Sequence, residues 1–454
     1  MTAPAPRFEL DPSVRRRDRG RLLVGGTPPR LVRLSEAGAA ALDRVLLGGA
    51  LDPPAAALAR RLDRAGLLHP LPVVDAAEPA VTTIVPALDG GATLLDLVRV
   101  ALGEGPVIVV DDGSRDGSPA RAAELGAEVL TNRGRRGPAG ARNTGLRAAR
   151  TELIAFIDAD CKVAPGWRSG LAGLLLADAE LALVAPRVRS LPGDSALARY
   201  ERGNSPLDLG AAPSRVGPGR RVAYLPAAAL VARRRPLLDL GGFDEDMRFG
   251  EDVDLVWRLL AAGWGARYVP AREVLHLPRP GPRAFARQRF GYGSSAPDLA
   301  SRHGGDAAPL RVGSHVAVVW GAAALLGPRG ALAALAGSTG VAASRGNGWP
   351  ARLALAEESL RGQTAAARQL LRAVAREWLP PALALSVRER RLRRLLLAAL
   401  ALEIGAAVRR APSPTPPTRI AGLRLLDHAS YATGLWLESM RRREPRALLP
   451  DRPS

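Results

Sequence analysis

Lysine is all but missing from this chain of 454 residues: Lys162 stands alone beside 63 arginines. Little lysine with abundant alanine, glycine and arginine is the mark of a GC-rich coding sequence. A net charge of +20 therefore does not by itself point to nucleic acid, which is not an expected partner. It does favour anions such as nucleotide phosphates and acidic lipid headgroups. Cysteine is limited to Cys161, which excludes an intramolecular disulfide and any cysteine-cluster metal site and fits a reducing compartment. The opening MTAPAPRFELDPSVRRRDRG holds no apolar core of signal-peptide length, so the start of the chain is expected in the cytosol. A hydrophobic share of 47% with 24% charged residues excludes global disorder.

Three regions are expected. In residues 7–74, strand-like runs at 21–25 and 30–34 flank the turn Gly26-Thr27-Pro28-Pro29. Ser35 stands at an N-cap position before a helix over Glu36–Leu47, and a second helix over 54–65 ends at Gly66. This predicts a winged-helix-like module with a strand edge, at 21–25 or 30–34, able to take an extended peptide by strand addition. A proline-rich stretch, 69–79, follows. Residues 80–280 alternate apolar runs (81–85, 107–110, 129–130, 153–157, 181–184) with amphipathic stretches such as 94–102 and 142–149. That alternation predicts an α/β unit, a mostly parallel sheet with helices on both faces, whose ligands bind at the carboxyl ends of the strands. Residues 281–454 show no strand pattern and predict helices. The stretch 312–344 carries one charge, Arg329, and its first part, 312–327, is short for a span of about 20 residues. The run 395–407 is a weaker second candidate. From 341 onward there are 20 arginines against nine acids. Apolar helices beside arginine clusters point to an anionic membrane surface, a plain helical domain being the other reading. The expected location is the cytoplasmic face of the plasma membrane, with 312–454 as the attachment. Residues 411–417, APSPTPP, read as a linker.

Five segments carry chemistry. In VIVVDDGSRDGS, 107–118, a buried strand runs into Asp111, Asp112 and Gly113; an acid there can bind a ribose or a base N–H, or simply form an Asp-Gly turn. In GPAGARNTGLRAA, 137–149, Pro138 opens a helix whose Arg142 can meet a base or a phosphate, or solvent. In LIAFIDADCKVAPGW, 153–167, period-two geometry would set Asp158 and Asp160 on one side of the chain. Two such carboxylates repel unless a cation sits beside them, and Mg2+ or Mn2+ arriving with a diphosphate suits them. In GGFDEDMRFGEDVDLVWRLLAAGW, 241–264, Glu251 and Asp252 fall in a helix's first turn, where the dipole favours the anionic form. One can act as a general base while the other caps the helix. In VLHLPRP, 274–280, His276 can complete a metal site and Arg279 can hold a diphosphate.

As an ordered set, VTTIVPALDG, VVDDGS, GARNTGL, FIDAD, GGFDE, GEDVDLVWR and HLPR resemble the inverting glycosyltransferases of family 2, which have the GT-A fold. The resemblance implies that Pro86 and Asp112 border the uridine of a UDP-sugar and that Arg142 contacts the base. Asp158 and Asp160 become the DXD-type metal pair and Asp252 the catalytic base, with Glu251 beside it. His276 and Arg279 become the metal and diphosphate partners. The run YERGNSPLDLGAAPSRVGPGRRVAYLPAAALV, 200–231, narrows the likeness to the glycosyltransferases of mycofactocin systems. Their implied reaction is glucosyl transfer from UDP-glucose to a peptide-derived redox cofactor or to its growing β-1,4-glucan chain. Three rivals remain: an enzyme acting on a lipid-linked or cell-wall glycan, a nucleotidyltransferase, and a non-enzymatic binding module. The nucleotidyltransferase loses weight because 87–91, ALDGG, lacks a basic residue.

Overall fold

A computed structural model describes residues 7–48, 50–73, 79–133, 137–412 and 414–451. The expected linkers fall partly outside it, at 74–78 and 413. The first elements are β1 (Phe8–Leu10), β2 (Arg15–Arg17), β3 (Leu22–Gly25), β4 (Arg30–Arg33), α1 (Glu36–Leu47), α2 (Pro53–Arg64) and β5 (Leu68–Pro70). Ser35 caps α1 by accepting from Gly38 N, and Asp52 caps α2 by accepting from Ala55 N. Leu23, Leu42, Val45 and Leu62 close a small core. β3 is the middle strand of β2–β3–β4, so 21–25 offers no free edge. β4 lies at one edge of that sheet.

Next come β6 (Val81–Ala87), α3 (Gly91–Leu102), β7 (Val107–Asp111), α4 (Ser118–Glu124), β8 (Glu128–Thr131), α5 (Pro138–Ala148), β9 (Leu153–Ile157), β10 (Cys161–Lys162), α6 (Leu171–Ala177), β11 (Leu181–Ser190), α7 (Ala196–Asn204), β12 (Ser214–Arg215), β13 (Ala229–Arg233), α8 (Arg234–Asp239), α9 (Glu251–Ala261) and β14 (Gly265–His276). The sheet runs β10-β14-β11-β13-β9-β6-β7-β8, with β12 beside β14. β8, β7, β6 and β9 are mutually parallel. Beyond β9 the sheet becomes mixed, because β13 runs antiparallel to both β9 and β11. Alternate residues of each strand feed opposite faces. Leu153, Ala155 and Ile157 face the core under α3 and α6, while Ile154 and Phe156 face the one under α5 and α9.

The rest is helical: α10 (Pro282–Ser294), α11 (Ala296–His303), α12 (Ser314–Ser344), α13 (Trp349–Ala375), α14 (Leu379–Arg388), α15 (Arg390–Arg410) and α16 (Pro417–Arg442). α10 and α16 meet backbone to backbone. A methyl group on Gly293 would lie 2.0 Å from Tyr431 O, and one on Gly434 2.1 Å from Phe290 O. α12 breaks at Gly327, whose φ is 68° and ψ −160°. Among the described residues no helix is long and apolar enough to cross a membrane. Neither 312–344 nor 395–407 is therefore a span.

The N-terminal elements are tied to the rest by buried charge. Asp63 accepts from Arg267 at 2.6 Å and from Arg215 at 2.8 Å. Asp11, fully buried, accepts from both Arg221 terminal nitrogens and contacts His69 Nε2 at 3.0 Å. Arg15 reaches Glu357 and Glu358 on α13, a part-exposed pairing that contributes little.

Candidate active site

The carboxyl ends of β6, β7 and β9 open into a cleft of about 1330 Å³ that also touches the start of α9 and the end of β14. Pro86 and Asp112 stand on its wall. Asp112 accepts from Asn132 Nδ2 at 2.6 Å and from Gly137 N at 2.9 Å, so its carboxylate anchors the chain entering α5.

α5 lies hard against β6: a methyl group on Gly145 would stand 2.3 Å from Ile84 Cγ2. Glycine there lets the helix bring Arg142 into the floor of the cleft. Arg142 is buried, and its side chain is taken up by two acids. Nη1 donates to Glu251 Oε1 at 2.8 Å and Nη2 to Asp158 Oδ1 at 2.7 Å. Its guanidinium carbon lies 5.4 Å from the centre of the Phe243 ring. Burial opposes its charge, but Asp158 and Glu251 outweigh burial and raise its pKa. The resemblance implies a contact of Arg142 with the base; its guanidinium here spans Asp158, just past β9, and Glu251, at the start of α9. One residue on, Asn143 donates to Phe243 O and Glu245 Oε1 and accepts from Phe243 N, fixing the loop that leads into α9.

Asp158 and Asp160 come together by a turn, with Cys161 N donating to Asp158 O at 3.0 Å. Strand alternation does not set their sides, because β9 stops at Ile157. Leu277 N donates to Asp160 O at 2.9 Å, and β10 pairs Cys161 with His276. That register sets His276 Nε2 3.2 Å from Asp160 Oδ1, and Arg279 Nη2 3.3 Å from Asp160 Oδ2. Burial works against a charged Asp160, yet His276 and Arg279 hold its pKa below the usual carboxylate range. Asp158, Asp160 and His276 each offer a ligand atom within 4.8 Å of the others. His276 Nδ1 lies 2.8 Å from Leu277 O. Donation there leaves the Nε2 lone pair for a metal, the usual outer-shell arrangement of a metal-binding histidine. Two carboxylates and one imidazole suit a hard divalent ion with some tolerance for nitrogen, Mn2+ or Mg2+.

Gly250 starts α9 at φ 80°, and a side chain there would press on Ser295 at 3.0 Å. After it, Asp252 Oδ1 accepts from Val253 N at 2.8 Å and Oδ2 from Ala227 N at 3.2 Å. Glu251 turns away to Arg142. The expected effect of the helix dipole loses to desolvation. Burial raises the Asp252 pKa against the pull of Arg142. Burial and then the Asp252 charge push Glu251 up to about 7.

Residues 82–216 match the family described as "Glycosyl transferase family 2". The "Pre-mycofactocin glycosyltransferase" of Mycobacterium tuberculosis (strain CDC 1551 / Oshkosh) is 37% identical over an alignment 464 positions long, covering 97% of each chain. Among solved structures, a mannosyltransferase from Pyrobaculum calidifontis in complex with GDP-Man and Mn2+ aligns at 22% identity and TM-score 0.39, over 66% of this chain and 88% of its own. Glucosyl-3-phosphoglycerate synthase from Mycobacterium tuberculosis, in complex with Mn2+, UDP and phosphoglyceric acid, aligns at 21% identity and TM-score 0.37, over 50% of this chain and 79% of its own.

Proposed function

This chain belongs to the pre-mycofactocin glycosyltransferases of glycosyltransferase family 2, and on that premise we propose that it transfers a sugar, glucose from UDP-glucose, with inversion. The acceptor is a hydroxyl of the peptide-derived cofactor or of its β-1,4-glucan chain. The observation that carries the reading is the position of Asp252. It lines the cleft holding Asp158, Asp160 and His276 and also lines the next cavity, of about 930 Å³. A carboxylate standing in both can take a proton from a nucleophile in one while a donor sits in the other.

Asp252 removes the acceptor hydroxyl proton as that oxygen attacks the anomeric carbon from the face opposite the nucleotide. Each of its oxygens is oriented by one backbone N–H, and each keeps a lone pair for the incoming proton. Glu251, with its raised pKa and its bond to Arg142, does not compete for that task. Arg142 positions Asp158 and the start of α9 together, so the donor and base sides move as one unit. Arg279 faces the cleft beside Asp160 and suits the diphosphate. Asp158, Asp160 and His276 would hold Mn2+ or Mg2+, which neutralises charge on the departing diphosphate when bound.

Purified protein with UDP-glucose should form product only with a divalent ion. Chelation should remove transfer and Mn2+ or Mg2+ restore it. Asp160→Ala should raise the KM for the UDP-sugar at least about tenfold, since it removes a ligand from a site with few protein ligands. Full activity in chelator overturns the metal assignment. The stereochemistry of the product, read by NMR, tests inversion directly.

Attachment to an anionic membrane surface is favoured by one observation. Val318, Leu325, Leu326, Leu332 and Val341 on α12 are all exposed, leading into the arginine-rich stretch from 341 onward. Binding to vesicles of anionic lipid should then occur at low salt and weaken at high salt, because screening shortens the reach of surface charge. Equal binding to neutral and anionic vesicles, or none, removes this reading. The free edge of β4 suits an extended peptide. Proline at Arg33, whose N–H points away from β3, should weaken capture of such a peptide and leave UDP-sugar hydrolysis unchanged.

A further inference from the structure

Five tyrosines stand in the chain. Two of them use their hydroxyls inside the fold: Tyr200 Oη donates to Asp427 Oδ2 at 2.8 Å and Tyr268 Oη to Gly210 O at 2.7 Å. The hydroxyls of Tyr224, Tyr292 and Tyr431 bond to nothing among the described residues, and none of the three is sealed off from open space. A tyrosine hydroxyl taken this far into a protein usually finds a partner. All three line one cavity, the 930 Å³ space that shares Leu207, Gly250, Asp252 and Tyr292 with the nucleotide cleft. Tyr200 and Tyr268 do not line it.

Three separate segments deliver these rings. Tyr224 lies between β12 and β13, Tyr292 near the end of α10, and Tyr431 within α16. The approach of α10 to α16 at Gly293, where a methyl group would meet Tyr431 O, sets Tyr292 and Tyr431 on one wall. Two of the rings are braced by arginines that already have acids. Arg289, held by Glu201 and Asp427, lies 5.8 Å from the centre of the Tyr292 ring, and Phe249 meets that ring edge-on at 6.4 Å. Arg376, with Glu377 at 3.3 Å, stacks on Tyr431, 3.5 Å from its centre. Asp252 acts on the other side of the cavity. Burial, then the Asp252 charge, push the Tyr224 hydroxyl up to about 12. Burial raises Tyr292 too against the pull of Arg289, with Tyr224 and Asp252 adding to the rise. Both phenols therefore stay protonated at neutral pH and keep a hydrogen to donate.

We propose that this cavity seats a neutral, polyhydroxylated acceptor, and that the Tyr224 and Tyr292 hydroxyls hold the groups next to the acceptor hydroxyl that faces Asp252. This rests on the reading of Asp252 as the base. A phenol hydroxyl both donates and accepts, as a sugar hydroxyl does, so the two match with no net charge on either. The ring offers an apolar face to the C–H face of a pyranose. A volume of about 930 Å³ falls within the range of small-molecule sites. Tyr292 lines the nucleotide cleft as well, which puts it at the passage between donor and acceptor. Tyr224 and Tyr292 are thus specificity-determining residues for the acceptor, and α10 and α16 take a share in its selection.

Cellotetraose, a neutral β-1,4-glucan, is the probe. Titrated by calorimetry against the full chain saturated with UDP, it should bind the unaltered protein. Tyr224→Phe and Tyr292→Phe should each weaken it about three- to tenfold, the loss of one ordinary hydrogen bond. Neither should lower the midpoint of urea unfolding, because neither hydroxyl has a partner in the fold. Tyr200→Phe should do the reverse. It loses the bond to Asp427 and should lower the midpoint, with cellotetraose affinity unchanged. UDP affinity should be the same in all four proteins, and in transfer assays the two cavity variants should raise the acceptor KM more than they lower kcat. No binding of cellotetraose to the unaltered protein, or an unchanged affinity in either cavity variant, overturns the proposal and leaves the transfer chemistry standing. Weakened binding in both variants together with normal turnover of Asp252→Asn keeps the tyrosine site and removes the base assignment instead.

Discussion

Asp252→Asn should lower kcat for sugar transfer by about 10²- to 10⁴-fold, the range for losing a positioned general base, while UDP-sugar affinity stays within about twofold. Asparagine keeps the shape, and its side-chain oxygen can accept from Val253 N or Ala227 N as Asp252 does. The helix start and the neighbouring Glu251–Arg142 bond should survive, and the loss should fall on the proton-transfer step. The unaltered protein should also show an acid limb in kcat/KM above pH 3.8, the value of an unperturbed aspartate. Asp252 must be ionised to act, and burial raises its pKa, so activity falls as pH drops through that raised value. Glu251→Gln is the control. It loses half of the Arg142 bracket and should raise the donor KM by loosening Asp158, with kcat falling less than in Asp252→Asn. If Glu251→Gln is dead and Asp252→Asn turns over normally, the base has been assigned one residue too late.

The donor side of this site was legible because its residues sit in short runs next to uninterrupted apolar strands. Leu153–Ile157 is a run of five buried residues, and a strand that well defined can only deliver Asp158 to the sheet's carboxyl edge. What could not be read was how the acids are held. The β10–β14 register that brings His276 to Asp160 depends on pairing between segments over a hundred residues apart. The pairing of Arg142 with Glu251, 109 positions away, has no local signal. The change from parallel to mixed sheet has the same origin. Whether β13 runs with or against β9 is set by the chain's return path, which local periodicity does not encode. The packing of the C-terminal helices was the least visible part, since the glycines that let α10 and α16 touch, Gly293 and Gly434, carry no periodic signal.

Asp63→Ala should cost about 3–5 kcal/mol of stability, the range for breaking a buried ion pair from one side. One carboxylate on α2 serves two arginines of the catalytic sheet. The partners respond in opposite senses. Burial opposes the Asp63 charge but Arg267 and Arg215 win, so its pKa lies below the usual value. Burial drags the Arg267 pKa down even with Asp63 beside it. Arginine nevertheless stays protonated in proteins, and Arg267 is 1% exposed. Removing Asp63 therefore leaves a fully buried cation facing Arg215. The contribution of Asp63 should be complete above its unfolded pKa, near 3.8, and be lost as pH falls through the lower folded value. Urea unfolding followed by two probes, one on each side of the α2–β14 contact, reads the loss. Asp63→Leu with Arg267→Met should recover much of it, since apolar side chains of similar volume often replace a buried pair without penalty. For the same reason, deleting residues 1–74 should destabilise the sheet that carries Asp158 and His276, so the N-terminal elements are part of the enzyme's framework whatever peptide they bind. A loss below about 1 kcal/mol in Asp63→Ala, with the double variant no better, would mean that these elements dock through their apolar and surface contacts instead.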